Sequence, residues 1–389
     1  MIMNKILLVT NILTPYRSYF YSLLHHECVI KNIDLKILVT ADNEPNRNWK
    51  YEDFKQEYTI LVKGKIFSFP NNIFIHLNNI IPFLKDFKPS IVICAGTYLY
   101  PALWQILTLK KFLNYKTIYW NESHNHELRD YSGWKIKLRE YIRSVIFNKI
   151  DAFWYGGEWA LEMIDKYADS SSKKIFVPNL INEKAFEDAL SFTEEQKANI
   201  RKKYGISENY INLICPARLT SVKGQLNFFK QFKNYPNASK FCFILAGDGD
   251  QEKVIKECVE HSGILNVRLL GYKNQEEIIE LYSVSDYFFM PSLSDPNPLT
   301  CIESLWCGLP LIVSNHVGNS PEVIKPGVNG YIFNAERLNE SYMYFDDIIN
   351  HRNNDWLLNA RKESRRIAHE KYSSLDSTKR IISETLSIF

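Results

Sequence analysis

The chain has 389 residues with a formal net charge of +3, and 46% of its residues are hydrophobic. This length predicts two or three domains, and so mild a charge gives no argument for a nucleic-acid partner. The seven cysteines show no CxxC spacing and stand mostly in apolar runs, which favours buried thiols in a reducing compartment. No signal-peptide pattern opens the sequence and no apolar run has the length of a spanning helix, so we expect a cytoplasmic protein.

The first half of the chain alternates short apolar runs with helical patterns. Strands are predicted at 5–10, 35–40, 90–96, 116–120 and 151–157, and helices at 72–87, 98–113, 132–148 and 157–168. Continuous apolar runs of this length, each followed by a turn and a helix, are typical of parallel strands that are buried on both faces. The pattern predicts a doubly wound α/β domain of the Rossmann type over residues 1–182.

A charged segment, 183–207, precedes a second α/β series. It is predicted as a linker that contains a helix over 191–205, with Thr193 and Gln196 as a capping box. Further strands are predicted at 210–218, 240–247, 267–271, 286–292, 310–314 and 330–333, and helices at 222–233, 250–262, 274–283 and 298–307.

These elements predict a second Rossmann-like domain over 208–370, followed by a C-terminal helix, 371–389, that packs back on the first domain. In α/β sheets of this kind, ligands bind beyond the carboxyl ends of the strands, at the point where the strand order reverses. We therefore expect two Rossmann-like domains that face each other across a cleft, with the site in that cleft.

Two cations, Arg218 and Lys223, lie in the turn after the first strand of the second domain. Beside a helix N-terminus such a pair forms an anion site that suits a phosphate or pyrophosphate, although two solvated surface cations give the same pattern. Gly247 ends the next strand, where it either lets a ligand approach the backbone closely or serves a tight turn.

The stretch PSLSDPNPLTCIESLWCG joins a predicted strand to a predicted helix and carries two carboxylates. Asp295 and Asn297 lie in the loop, Pro298 stands near the first turn of the helix, and Glu303 falls further inside it. Carboxylates accept charge-assisted hydrogen bonds from sugar hydroxyls, so Asp295 and Glu303 can hold hydroxyls on either side of a bound phosphate. For either residue alone, a capping Asp or an unrelated helical Glu remains the alternative.

The segments PARLTSVKG, LAGDGD, VRLLGY, PSLSDPNPLTCIESLWCGLPLIVSN and GNSPEVIKPGVNGYIF extend over most of 210–333. In wording, order and spacing they resemble the nucleotide-sugar-binding domain of retaining glycosyltransferases of the GT-B fold, family 4 (glycosyl transferases group 1), of the type that builds bacterial surface polysaccharides. The first half of the chain resembles that family more loosely, through TNILTPYR, WNESH and VPNLIN.

The resemblance implies roles for four charged residues. Arg218 and Lys223 would bind the donor diphosphate and stabilise the leaving nucleotide. Glu303 would bind the ribose hydroxyls, and Asp295, at the first acidic position of the family motif, would lie near the transferred sugar. The reaction would retain the anomeric configuration and need neither a metal nor a cofactor, because the two cations stabilise the departing diphosphate and the nucleotide sugar is itself a substrate.

The sequence departs from the family pattern in the same loop. Asp295 stands where Glu is usual, and PNPL stands where Gly-Phe-Gly-Leu is usual. Pro298 has no N–H to donate, but Asn297, Leu299 and Thr300 would still donate hydrogen bonds to phosphate. These departures leave the identity of the sugar open.

Polar residues also follow two strands of the first domain. The stretch WNESHNHE places Glu122, His124 and His126 after a strand, where any of them can bind or deprotonate an acceptor hydroxyl, unless the stretch is only a polar loop. The two histidines do not indicate a metal site, since no third ligand is evident. After the first strand, one run offers contacts to a phosphate or to the acceptor. The run consists of Thr14, Pro15, Tyr16 and Arg17.

The segment 134–150 mixes Lys and Arg with Trp, Tyr, Ile and Phe at helical spacing. Such a helix can lie on an anionic membrane surface, or it can pack on its own sheet as an ordinary amphipathic helix. Lipid-linked acceptors are common in the family that the chain resembles. The resemblance therefore adds a peripheral contact with the inner face of the cell membrane to the predicted location.

Taken together, these features predict transfer of a sugar from a nucleoside-diphosphate sugar, UDP- rather than GDP-linked, to a glycan hydroxyl. The acceptor would be linked to a polyprenyl diphosphate, in lipopolysaccharide, O-antigen or capsule biosynthesis. Two alternatives stay open: a nucleotide-sugar epimerase of the same fold, and a catalytically inactive partner that binds a nucleotide sugar. A dehydrogenase is disfavoured because the first strand is not followed by GxGxxG.

Overall fold

The computed structural model describes residues 4–44, 50–69, 73–124, 133–352 and 355–388. The chain divides into two compact units, one formed by Met1–Leu180 with Ser374–Phe389 and the other by Ile181–Ser373. Each unit is built on one large sheet whose neighbouring strands are all parallel. The fold is therefore of the α/β class, with two Rossmann-like units as predicted.

The first unit contains a seven-stranded sheet in the order β3-β2-β1-β6-β7-β8-β9. Its elements along the chain are β1 (Lys5–Thr10), α1 (Pro15–Ile30), β2 (Asp34–Val39), α2 (Tyr51–Phe54), β3 (Thr59–Leu61), β4 (Gly64–Phe69), β5 (Ile73–Asn78), α3 (Ile81–Phe87), β6 (Ile91–Ala95), α4 (Pro101–Leu113), β7 (Lys116–Asn121), α5 (Gly133–Phe147), β8 (Ala152–Tyr155), α6 (Glu158–Tyr167) and β9 (Lys173–Phe176). The central strands are almost wholly apolar because helices cover both faces of the sheet.

The predicted helix at 72–87 is wrong over its first part. Residues 73–78 form β5, which pairs antiparallel with β4, and α3 covers only Ile81–Phe87. Side chains alternate along β5, since His76 and Asn78 are buried while Leu77 between them is exposed. An apolar run of this length fits a helix or a strand, and only the pairing with β4 decides between them.

The second unit contains a six-stranded sheet in the order β12-β11-β10-β13-β14-β15. Its elements along the chain are α7 (Glu183–Glu187), α8 (Glu194–Tyr204), β10 (Ile211–Pro216), α9 (Gln225–Phe232), β11 (Phe241–Ala246), α10 (Glu252–Ser262), β12 (Asn266–Leu269), α11 (Gln275–Ser283), β13 (Tyr287–Met290), α12 (Leu299–Trp306), β14 (Leu311–Ser314), α13 (Ser320–Val323), β15 (Gly330–Phe333), α14 (Tyr342–His351) and α15 (Trp356–Tyr372).

Residues 183–207, predicted as a linker, fold within the second unit as α7 and α8. Phe186 and Ile200 are buried in its core. The predicted capping box is present at the start of α8, where the Thr193 hydroxyl accepts from the Gln196 N–H at 3.2 Å and the Gln196 side chain accepts from the Thr193 N–H at 2.8 Å.

The last helix, α16 (Ser374–Leu386), returns to the first unit, as predicted. Its Thr385 hydroxyl accepts a hydrogen bond from the Trp154 indole at 3.1 Å, and Arg380 donates to the Phe176 carbonyl at 2.9 Å. Ile381 and Ile382 of α16 are fully buried in the core of that unit. Of the helices within the described ranges, none has the combined length and hydropathy needed to cross a bilayer.

Candidate functional site

The four charged residues assigned to a donor site follow two neighbouring strands. The chain runs from β10 outward to β12 on one side of the sheet, and from β13 outward to β15 on the other side. The strand order therefore reverses between β10 and β13, which is where sheets of this class bind ligands. Arg218 and Lys223 follow β10, whereas Asp295 and Glu303 follow β13.

Glycines bring the loops at this edge into direct backbone contact. A Cβ at Gly247, after β11, would lie 2.2 Å from the Ala217 carbonyl oxygen, and one at Gly224 would lie 2.0 Å from the Pro291 carbonyl oxygen. Gly224 also has a φ of +71°, which an L side chain rarely adopts. At Gly247 the structure shows a further use, close backbone packing between the β10 and β11 loops, which is neither of the two that the sequence suggests.

Lys223 and Asp295 form an ion pair across the two loops, and both side chains are largely buried. The Asp295 backbone is held in turn by the loop after β14, because its N–H donates to the His316 carbonyl at 3.2 Å and its carbonyl accepts from the Gly318 N–H at 2.8 Å. The first acid of the motif is thus fixed by three loops at the carboxyl edge of the sheet.

Arg218 lies on the same edge with an exposed side chain. Its guanidinium makes no ion pair or hydrogen bond with any residue in the described part of the chain. Its backbone carbonyl accepts from the amide of Gln225, a fully buried residue, at 3.1 Å, which fixes the position of the loop. The site therefore combines an exposed cation, Arg218, on a hydrogen-bonded loop with a cation, Lys223, that is already paired.

The N-terminus of α12 lies beside these cations. Pro298 is its N-cap, and the backbone N–H groups of Leu299 and Thr300 have no acceptor among the described residues. The partial positive charge of a helix N-terminus adds to these two donors, so this end of α12 can accept an anion.

Asn319 positions the loop before α12. This buried residue donates from its side-chain amide to the Asn297 side-chain oxygen at 3.1 Å and to the Pro298 carbonyl at 3.0 Å. Sequence analysis noted no role for Asn319. The GNS motif places it after a glycine, but only the folded loop shows which groups it reaches.

Glu303 lies in the interior of α12 and receives a hydrogen bond from the Tyr282 hydroxyl at 3.1 Å. Burial raises the pKa of its carboxyl to about 7, and the Tyr282 hydrogen bond opposes that shift. Tyr282 is a fully buried residue of α11, and no motif in the sequence predicts its role. Glu303 is therefore a carboxyl that can gain or lose its proton near neutral pH.

The buried thiol of Cys301 links the two carboxylates. Burial raises its pKa well above the ordinary value, the charges of Asp295 and Glu303 raise it further, and the charge of Lys223 lowers it. The charges of Asp295, Glu303 and Lys223 thus all act on the Cys301 thiol. The structure places Lys223 and Asp295 in direct contact, whereas Glu303 contacts Tyr282 further along α12.

In the first unit, the structure brings Arg17 and Glu122 together. The Arg17 guanidinium is 2.5 Å from the Glu122 carboxylate and lies 3.8 Å from the centre of the Trp120 ring. Thr14 caps α1 by accepting from the Arg17 N–H at 3.3 Å, and Pro15 is the first residue of that helix. Tyr16 is exposed beside them.

His124 is placed near this pair in the chain but contacts a different element. Its ring lies 5.0 Å from that of Trp159, at the start of α6. His126 lies outside the described residues. Glu122 directly follows β7, and the Arg17 guanidinium holds its carboxylate at the carboxyl edge of the sheet.

A buried polar cluster that the sequence analysis missed lies at the same edge of the first unit. His76 Nδ1 is 2.8 Å from the Thr40 hydroxyl, and His76 Nε2 is 3.3 Å from the Glu44 carboxylate, which also accepts from the Asn11 amide at 2.9 Å. The Thr40 hydroxyl also lies 3.1 Å from the Thr10 carbonyl oxygen, which connects the His76 ring to the end of β1. The cluster fixes the loop after β1, and it was missed because β5 was predicted as a helix.

Comparison with known proteins identifies the segment that carries the donor residues. Residues 196–365 match the family model described as "Glycosyl transferases group 1". The matched segment makes up less than half of the chain. It includes β10 to β15 and every residue assigned above to the donor site.

Among curated proteins, the chain is 30% identical over 163 residues to the alpha-monoglucosyldiacylglycerol synthase of Acholeplasma laidlawii. This match covers 41% of this chain and 40% of that protein. It is 26% identical over 273 residues to an uncharacterized 41.2 kDa protein in the cps region of Klebsiella pneumoniae, covering 67% and 68%. The match spans about two fifths of the length of curated relatives such as the Acholeplasma protein.

Among solved structures, the chain resembles Anabaena Alr3699/HepE in complex with UDP. The TM-score is 0.72 at 14% identity, and the match covers 100% of both chains. At this identity the likeness concerns the fold, which is the GT-B fold that the sequence analysis predicts.

Proposed function

We propose that this protein is a glycosyltransferase that moves a sugar from a nucleoside-diphosphate sugar to a hydroxyl group of a glycan. One observation carries the proposal: the Lys223–Asp295 ion pair joins the loops that follow β10 and β13, where the strand order of the second sheet reverses, and Arg218 and Glu303 follow the same two strands. The match of residues 196–365 to the glycosyl transferases group 1 family supports the same activity.

The donor diphosphate binds between Arg218, Lys223 and the N–H groups of Leu299 and Thr300. This arrangement supplies two cations and two oriented dipoles to a group with two negative charges. Asn297 adds a side-chain amide at the mouth of the same loop. Because these groups are held by the protein before reaction, they stabilise the charge that develops on the departing nucleotide.

In this proposal the reaction needs no metal ion, since Arg218 and Lys223 take the place of a divalent cation. No cofactor is needed, because the nucleotide sugar is the substrate. The reaction retains the anomeric configuration, with attack on the face that the leaving group vacates and with a donor phosphate oxygen receiving the acceptor proton. Glu122, His124 and Arg17 serve the acceptor, with Glu122 or His124 contacting its hydroxyl.

Asp295 is placed to contact the transferred sugar. Its carboxylate is paired with Lys223, and a diphosphate that binds Lys223 competes for the same ammonium group. We expect donor binding to turn Asp295 from the lysine toward sugar hydroxyls. Glu303, on the other side of Cys301, binds the ribose hydroxyls.

The nucleotide is proposed to be UDP and the acceptor to be linked to a lipid carrier. Similarity of fold to a UDP complex supports the first point, and similarity to a protein named for a glucosylated diacylglycerol supports the second. The process is the synthesis of a surface glycan such as lipopolysaccharide or capsule. The enzyme would work in the cytoplasm, with α5 against the inner face of the cell membrane.

The test is a panel of UDP- and GDP-sugars with the purified chain, with and without EDTA, in which release of free nucleotide is followed. We expect slow hydrolysis of one donor that EDTA does not change. An isomerised donor in the absence of acceptor would identify an epimerase instead. Nucleotide binding without any turnover, even with lipid-linked acceptors present, would identify an inactive binding protein.

A further inference from the structure

The β4–β5 hairpin carries exposed aromatic side chains on the face opposite its buried polar residues. His76 and Asn78 point inward and are buried, so the opposite face of the hairpin carries Phe67, Phe69 and Leu77. Phe67 and Phe69 are 47% and 49% exposed. This order is the reverse of the usual one, in which polar residues face water and apolar residues face the core.

Helix α5 shows the same reversal. Arg143 is buried under the helix, where its guanidinium lies 5.2 Å from the centre of the Tyr98 ring. Trp134, Leu138 and Tyr141 are spaced by four and three residues, so they form one stripe on the solvent side. Trp134 is 66% and Tyr141 69% exposed. A helix that packs only on its own sheet has no use for such a stripe.

Helix α4 connects the hairpin to α5. At its start, the Tyr100 ring stacks on His76 of the hairpin at 5.2 Å, and Gln105 donates to the Asn78 carbonyl at 2.7 Å. Just before α4, the Tyr98 hydroxyl accepts from Arg139 of α5 at 3.3 Å. Both α4 and α5 pack on the same face of the sheet, in one core cluster.

The outward side of α4 carries Trp104. The exposed apolar side chains of the hairpin, α4 and α5 thus belong to one region of the first unit, which we name the aromatic surface. Six of these side chains define it: Phe67, Phe69, Trp104, Trp134, Leu138 and Tyr141.

The charge around the aromatic surface is positive. Between Tyr58 and Asn121 the sequence has seven lysines and one acidic residue, Asp86. A set of exposed lysines borders the surface, and none of them forms an ion pair with a residue that the structure describes. The set is Lys63, Lys65, Lys111, Lys135 and Lys137.

We propose that the aromatic surface docks on an anionic lipid bilayer, with the hairpin and α5 as two separate points of insertion. Aromatic side chains prefer the interface of a bilayer, and unpaired lysines attract anionic headgroups. Two insertion points fix the orientation of the first unit, whereas a single amphipathic helix leaves rotation about its axis free. In this orientation Glu122 would face a lipid-linked acceptor, and that role rests on the proposed function. The docking itself does not rest on it.

The experiment is co-sedimentation of the full chain with phosphatidylcholine vesicles that contain or lack phosphatidylglycerol. We expect binding only when phosphatidylglycerol is present. A hairpin variant, Phe67→Thr with Phe69→Thr, and a helix variant, Trp134→Gln with Leu138→Gln, should each bind about tenfold more weakly, since each loses two apolar side chains from the interface.

The matched control is Val29→Gln with Ile30→Gln. These two side chains are equally apolar and exposed, but they lie on α1, whose buried face packs in the other core cluster of the sheet. Vesicle binding should not change in this variant. Nucleotide affinity measured on every variant confirms that the second unit is folded, and a circular dichroism melt confirms it for the first unit.

Insertion is read separately by lipids brominated on their acyl chains. Tryptophan fluorescence should be quenched, and Trp134→Phe should lower that quenching, with Trp104 of the same surface contributing to what remains. Unchanged binding of the hairpin variant, or binding without quenching, would overturn insertion at two points. So would a dimer in light scattering that the same variants dissociate, because a second copy would then occupy the surface.

The two proposals can fail independently. If the chain binds vesicles but never hydrolyses a donor, the docking proposal stands and the proposed enzyme activity is wrong. If the chain hydrolyses a donor but does not bind anionic vesicles, the proposed enzyme activity stands and the docking proposal is wrong.

Discussion

The ammonium group of Lys223 is paired with the carboxylate of Asp295, across the two loops that follow β10 and β13. The cation assigned to the diphosphate and the acid assigned to the sugar therefore neutralise each other in this structure. A phosphate that binds Lys223 must compete with a partner already in contact, and it frees that partner when it succeeds. Binding of the donor and positioning of Asp295 are thus coupled through one ion pair.

Replacing Lys223 with Ala should weaken donor binding and slow transfer by about tenfold or more, because a charge-assisted bond to the diphosphate is lost. The measurement is the affinity for UDP by calorimetry together with the rate of donor hydrolysis. Lys230→Ala is the control, since Lys230 is an exposed lysine of α9 in the same unit. Equal affinities for the two variants would count against a phosphate role for Lys223.

Replacing Asp295 with Asn should separate binding from catalysis. The variant frees Lys223 for phosphate, so the affinity for UDP without a sugar should stay the same or rise by about threefold, while hydrolysis and transfer should fall by about a hundredfold. Steady-state kinetics with the donor and calorimetry with UDP measure the two effects. A large loss of UDP affinity would instead indicate that the ion pair shapes the phosphate loop.

The sequence predicts the second unit more completely than the first, for a physical reason. Its strands are continuous apolar runs, and Arg218, Lys223, Asp295 and Glu303 follow them in short loops, so chain position nearly determines spatial position. The partners of those residues could not be predicted, because Tyr282 and Asn319 reach the site from other elements of the fold.

The first unit shows the opposite case. The β4–β5 hairpin exists because two segments pair, and the apolar run that forms β5 is equally compatible with a helix until its partner is known. With β5 predicted as part of a helix, nothing in the sequence placed His76 beside Thr40 and Glu44. The aromatic residues of the hairpin could not be recognised as an exposed surface for the same reason.

Replacing Gly247 with Ala should destabilise the donor loops. The new Cβ would lie 2.2 Å from the Ala217 carbonyl oxygen, so the β10 loop must shift, at a cost of about 1–3 kcal/mol of unfolding free energy. Urea denaturation measures the loss, and UDP affinity of the folded fraction should fall as well because Arg218 lies next to Ala217. Gly263→Ala is the control, since a Cβ there meets nothing within 4 Å and only the strain of its φ of +67° remains.

Replacing Glu122 with Gln should affect the acceptor side alone. The change keeps the shape of the side chain but weakens its contact with Arg17, so transfer to an acceptor should fall by about tenfold or more. UDP affinity should stay within about twofold of the unmodified chain, because the ionic partner of Glu122 belongs to the first unit. A parallel loss of UDP affinity would show that Arg17 or Glu122 serves the donor instead.

Glu303 should make nucleotide binding and stability depend on pH near neutrality. Its carboxyl has a pKa of about 7 in the folded chain, and the ionised form accepts stronger hydrogen bonds from ribose hydroxyls. UDP affinity should therefore rise from about pH 6 to about pH 8, and Glu303→Gln should bind more weakly with little pH dependence. If the UDP affinity of the unmodified chain does not change across this pH range, Glu303 does not bind the ribose.

The same carboxyl should lower stability as pH rises. In the unfolded chain Glu303 ionises near its ordinary value of 4.5, whereas the folded chain keeps the proton up to about pH 7, so folding is opposed once the unfolded form has lost its proton. Relative to Glu303→Gln, the unmodified chain should lose unfolding free energy between these pH values and lose no more above them, by at most about 3 kcal/mol. Urea denaturation of both chains across that range measures the difference. Tyr282→Phe should enlarge the loss, because the ionised carboxylate then has one donor fewer.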